Sequence, residues 1–186
     1  MSFDSARIAR CASATLIAAL SALGGAVHAD SGSWSSHQIE FTFLGFTSTY
    51  SCEGLQSKLQ ALLRTLGARQ DAAVTSGSCA RGFGVPEKFA SASVRFASLQ
   101  PLAAAAGSAP ADADAAIEGQ WRHVEVAPHR PQELDPGDCE LVEQFRDKLL
   151  PSFATRALRN DVRCVPFQES GSGYTLQFDV FVPRKP

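Results

Sequence analysis

The signatures that most readily betray an enzyme are missing from this chain of 186 residues. There is no Cys-x-x-Cys, which excludes the paired-thiol motif of disulfide oxidoreductases. Neither Gly-x-Ser-x-Gly nor Ser-x-x-Lys occurs, so the common settings of an activated serine are absent. No Gly-x-x-x-x-Gly-Lys-Ser/Thr cradles a phosphate. Lys and Arg form no cluster, and the formal net charge is −2, so nucleic acid and anionic membrane surfaces are poor partners. After residue 29 no apolar run approaches the roughly 20 residues of a transmembrane helix, and no membrane insertion is expected once the N-terminal segment is removed.

That N-terminal segment has the layout of an export signal. Arg7 and Arg10 form a positive n-region, and Ala12 to Ala22 is apolar but too short to span a bilayer. Val27-His28-Ala29 places small residues at the −3 and −1 positions, so cleavage is expected between Ala29 and Asp30. Arginine outnumbers lysine 13 to 4 and alanine is abundant, as in a bacterium with GC-rich DNA. The expected location is the periplasm, or the medium outside the cell. The remaining 157 residues suit one domain or two small ones sharing a core.

Four of the five cysteines lie beyond the signal and form two matched pairs. Cys52 and Cys79 are 27 positions apart, Cys139 and Cys164 are 25 apart, and each first member is followed by glutamate. Laid over one another, the two halves agree in order. Gln38-Ile39-Glu40-Phe41 and His123-Val124-Glu125-Val126 alternate as half-buried strands do. Ser51 and Asp138 are candidate N-caps, and Glu53 and Glu140 stand in the first helical turn, where the helix dipole favours them. Leu55, Leu59, Leu62, Leu63 and Leu66 stripe the first helix, with Gly67 as its C′ residue; Val142, Phe145 and Leu149 stripe the second, which Pro151 ends. Strands from Ala73 to Cys79 and from about Leu158 to Cys164 follow. Alternating strands close each half, through Ala90, Ala92, Val94 and Phe96 in one and Leu176, Phe178, Val180 and Val182 in the other.

The pairing follows from lengths. A helix of about 14 residues rises roughly 21 Å, and a returning strand of about 7 covers roughly 23 Å. Each second cysteine therefore comes back beside the helix start that bears the first, which selects Cys52–Cys79 and Cys139–Cys164 from the three connectivities. The expected fold is α+β: a two-layer sandwich of two tandem strand-helix-strand-strand repeats in a ferredoxin-like type of arrangement, with one disulfide per repeat. Residues 30–37 read as a flexible N-terminus, 38–101 as the first repeat, 102–119 as an Ala/Pro/Gly/Asp-rich linker, and 120–186 as the second repeat.

Candidate chemistry is sparse. His123 and Glu125 share one strand face, and Glu40 occupies the matching position in the other half. Two carboxylates with a histidine are a metal or acid–base set if the halves bring them together. His129 lies in a proline-flanked loop. Phe83, at the tip of Arg81-Gly82-Phe83-Gly84, is a candidate partner contact, and Leu44 and Phe46 extend the first strand with apolar surface. No cofactor is implied. The function expected is a non-catalytic, disulfide-stabilised binding module for an unknown envelope protein or small ligand. The alternatives are a metal-binding protein or metal-dependent enzyme using Glu40, His123 and Glu125, and a purely structural role.

Overall fold

A computed structural model describes residues 30–77, 85–102 and 116–184. The elements are β1 (Asp30–Leu44), α1 (Cys52–Thr65), β2 (Ala73–Ser76), β3 (Phe89–Pro101), β4 (Ile117–Val126), α2 (Cys139–Lys148), β5 (Thr155–Arg163) and β6 (Gly173–Pro183), with 3-10 turns at Pro136–Asp138 and Leu150–Ser152. The six strands make one sheet in the order β2-β3-β1-β4-β6-β5, every neighbouring pair antiparallel. The fold is α+β. Read outward from the central β1–β4 pair, the order is β1-β3-β2 on one side and β4-β6-β5 on the other.

The helices form where capping and periodicity place them. Ser51 accepts the Gly54 N–H at the start of α1, and Gly67 follows its end at φ +77°, a left-handed conformation that costs glycine least. A β-carbon at Gly67 would also lie 2.5 Å from Val182 Cγ1, so this turn sits tight against β6. The second helix stops at Lys148, and Pro151 falls in the 3-10 turn behind it. Asp138 is not the side-chain cap of α2 that the sequence suggested. It ends the preceding 3-10 turn, and its carboxylate points instead at Tyr50, Lys58 and the Asp135 N–H.

Two strands start earlier than the pattern of apolar residues implied. Strand β1 begins at Asp30, within the stretch expected to be flexible, and β4 begins at Ile117, within the expected linker. Asp30-Ser31-Gly32 pairs with Gly119-Glu118-Ile117, and this three-residue ladder joins the two sides of the sheet. Backbone hydrogen bonding, not apolar alternation, recruits these residues. Gly32 and Gly119 are required by packing: a β-carbon at either would lie within 2.7 Å of the Phe181 ring. On the other side of β4, Gly119 pairs with Pro183 and the Arg184 N–H donates to Glu118 O. Both Asp30 and Arg184 therefore lie beside the start of β4.

Apolar side chains from both sides meet in one core. Phe41, Phe43, Ala92 and Val94 pack under the α1 leucines, and Val126, Leu176, Phe178 and Val180 under Leu141, Val142, Phe145 and Leu149, all in the same cluster. Register puts Trp34, Leu99, Trp121 and Phe181 on the opposite sheet face, where Leu99 and Phe181 are buried. The Trp121 and Phe181 rings are 5.3 Å apart, Arg156 covers Trp121 at 4.3 Å, and Arg69 lies 5.8 Å from the Trp34 ring.

Cys139 and Cys164 are disulfide-bonded, as helix and strand lengths required. Cys52 is also disulfide-bonded, while Cys79, the partner expected for it, lies outside the described residues, as does Phe83.

Candidate functional site

The residues singled out in the sequence go to different places. His123 stands opposite Asp179 on β6, with Nδ1 3.2 Å from Oδ1, and Arg156 Nε donates to the other carboxylate oxygen at 3.2 Å. The His123 and Arg156 hydrogen bonds hold the Asp179 carboxyl below the usual range. Glu125 accepts from Arg130 Nη1 at 2.7 Å and from Gln177 Nε2 at 3.0 Å. Glu40 is on β1 opposite Ser93. Pairing between β1 and β4 ends at Gly32 and Gly119, and the strands run in opposite directions from there. Glu40 is thereby placed on one side of the sheet and His123 with Glu125 on the other. Among the described residues no three His, Cys, Asp or Glu side chains gather as a metal-binding group. His129 sits in its loop at φ +62°.

Buried charge concentrates elsewhere, between the two sides of the molecule. Asp138 is 3% exposed. Its Oδ1 accepts from the Tyr50 hydroxyl, and its Oδ2 from Lys58 Nζ at 2.7 Å and the Asp135 N–H at 2.6 Å. Lys58 also donates to Asp135 Oδ2 and Glu133 O, and the Tyr174 hydroxyl to Asp135 O. Burial draws the Lys58 ammonium down, but its bonds to Asp135 and Asp138 outweigh this and raise its pKa. The Tyr50 hydroxyl is pushed far up by burial first and then by the Asp138 charge; Tyr174 is raised the same way. Nearby, the buried Glu140 carboxylate accepts three successive backbone N–H groups, from Phe46, Thr47 and Ser48, at 3.0–3.2 Å. Thr47 Oγ1, beside it, has no partner among the described residues and borders a hollow of about 10 Å³, room for one water.

These groups are committed to one another. Lys58 directs all three of its N–H donors to two carboxylates and a carbonyl, and the Glu140 carboxylate is engaged by three backbone N–H groups. The same holds for Ser98, which is fully buried: its hydroxyl donates to Ser152 O at 2.6 Å, accepts from Gln100 Nε2, and lies 3.0 Å from His37 Nε2. Burial lowers the His37 pKa. This set braces the turn after α2 against β3.

Open space lies at the far end of α1. A groove of about 1100 Å³ runs between the C-terminal half of α1 with its following loop and the ends of β4 and β6. Arg64, Arg69 and Arg122 line it with four glutamines, Gln56, Gln60, Gln70 and Gln120, and Trp34, and no carboxylate among the described residues lines it. Arg122 donates to Thr65 O at 2.6 Å, capping the helix end. Arg69 is bidentate to Asp71, at 2.9 and 2.7 Å, just outside the groove. A smaller hollow of about 330 Å³ shares Arg69 and adds Arg95. Sequence reading missed this site because Arg122 is 57 residues from its helix partner, and single arginines spread along a chain give no local signal.

No family model, curated protein or solved structure matches the chain.

Proposed function

We propose that the chain is an exported, disulfide-stabilised binding module built by duplication of one strand-helix-strand-strand unit, and that it works by holding a ligand. The observation that carries this reading is the division of its polar groups. The buried ionisable side chains are spent on one another and on backbone N–H groups, whereas an open groove of about 1100 Å³ is lined by arginine and glutamine side chains. Ligand sites are mostly preformed hollows with a few convergent polar groups, and this groove is of that size. The duplication has support beyond the cysteines: Gly32-x-Trp34 and Gly119-x-Trp121 each precede a Cys-Glu pair, with 18 positions from tryptophan to cysteine.

Native mass spectrometry of the protein recovered from its own cell envelope, without reductant or chelator, tests the reading. The expected result is a chain beginning at Asp30, lacking four thiol hydrogens, that carries a stoichiometric non-covalent mass released unchanged. Release of a chemically altered ligand, or four intact thiols in a bare chain, would overturn it.

A further inference from the structure

We infer that the groove at the end of α1 binds a saccharide chain bearing carboxylates; this rests on the binding-module reading above and names its ligand class.

The argument begins with charge. The chain as a whole is slightly acidic, yet Arg64, Arg69 and Arg122 converge on the groove and Arg95 on the adjoining hollow, with Asp71 the one carboxylate among the residues lining the two. Part of this charge is used locally. Arg122 and Arg64 stand at the helix end, whose carbonyls carry partial negative charge, and Arg69 faces Asp71. The remainder is net positive, and Arg64 and Arg122 keep N–H donors in planar forks that suit a carboxylate.

The amides decide between anions. An amide side chain both donates and accepts, so Gln56, Gln60, Gln70 and Gln120 offer paired contacts to hydroxyl groups, which also do both. A simple inorganic anion uses no acceptors and leaves half of each amide idle. Gln60 gives its N–H to Ala72 O and Gln56 takes the Ser76 hydroxyl, so each retains its other half; Gln70 and Gln120 are exposed, with no side-chain hydrogen bond to a described residue. Trp34 adds an indole to the lining, and the Arg69 guanidinium lies over its ring at 5.8 Å. At about 1100 Å³ the groove has room for several sugar rings rather than one. Its apolar lining is Trp34, Ala68, Ala72, Val182 and Pro183, of which only Trp34 is a large side chain.

The test is calorimetry on the mature chain with a short oligogalacturonate, a neutral maltooligosaccharide of equal length and a poly-glutamate of equal charge. The expected result is saturable oligogalacturonate binding, at least tenfold tighter than the neutral chain and the peptide. The exposed substitutions Arg64→Glu and Gln70→Ala leave the core untouched. The first should weaken that binding at least tenfold, and the second more than it changes poly-glutamate binding. Equal affinity for poly-glutamate would overturn the saccharide in favour of an acidic peptide. Equal affinity of the Arg64→Glu chain, or no oligogalacturonate binding at ~10 mM, would overturn the groove as the site. A ligand retained in native mass spectrometry together with no oligogalacturonate binding would sink this inference alone; an altered ligand would sink the binding-module reading itself.

Discussion

Asp138 shows how a single side chain ties distant parts of the sequence together. Its neighbour Cys139 and the pattern that follows mark a helix start, so an N-cap is the local reading; the carboxylate instead reaches Lys58, 80 residues away, and Tyr50, 88 away. No periodicity encodes such a contact, which is why the helix was legible and its central ion pair was not. The pair is buried, with Lys58 and Asp138 side chains 13% and 4% exposed. Removing one member of a buried pair strands the other charge, at a cost of ~3–5 kcal/mol. Lys58→Met should fall near the lower end, because Tyr50 and the Asp135 N–H still bond the carboxylate. Urea unfolding checks this, and Asp138→Asn added to Lys58→Met should recover part of the loss. The candidate residues show the same division. Alternation correctly put His123 and Glu125 on one strand face, but only the short β1–β4 register reveals that Glu40 lies on the other side of the sheet.

At the level of elements, what was readable is what carries its signal locally. Leucines at helical spacing, Ser51, Gly67 and alternating apolar strands each announce themselves within a few residues. The polar opening of β1, Asp-Ser-Gly-Ser-Trp-Ser-Ser-His, announces nothing, because its role is to offer backbone groups to β3 and β4. Strand β5 is an edge strand exposed along most of its length, irregular between Arg156 and Arg159 with Ala157 at φ +54°. Charged residues on such an edge oppose pairing with other chains. What holds it is β6 on one side and the Cys139–Cys164 bond at its end, which closes a loop of 25 residues. The chain-entropy model gives about 3 kcal/mol for a loop of this size. Replacing both cysteines by serine should therefore lower the unfolding free energy by about that amount, and hydrogen exchange should show the protection lost first in β5.

For the molecule as a whole, the continuous core and the cross-linking ion pair predict one cooperative transition spanning both sides of the sheet. Trp34 and Trp121 report on opposite sides of the sheet. Single-tryptophan chains made by Trp34→Phe and Trp121→Phe should unfold at matching denaturant concentrations, each relative to its own circular-dichroism midpoint; separate midpoints would mean two independent units. The same interior sets an alkaline limit. Tyr50, Tyr174 and Lys58 all have pKa values raised in the folded state. A group with a raised pKa holds its proton more tightly folded than unfolded. Its stabilisation is complete below the unfolded value, about 10 for all three, and is lost as pH rises through the folded value. Melting temperature should fall steeply above pH 10, and Tyr50→Phe, which has no proton to lose, should flatten that slope.

The flanking of β4 by Asp30 and by Arg184 gives the domain a single doorway. With one strand spacing on each side of β4, the points where the chain enters and leaves stand ~10 Å apart. A surface loop of another protein can span that gap, so residues 30–184 are suited to insertion as a cassette inside a host sequence.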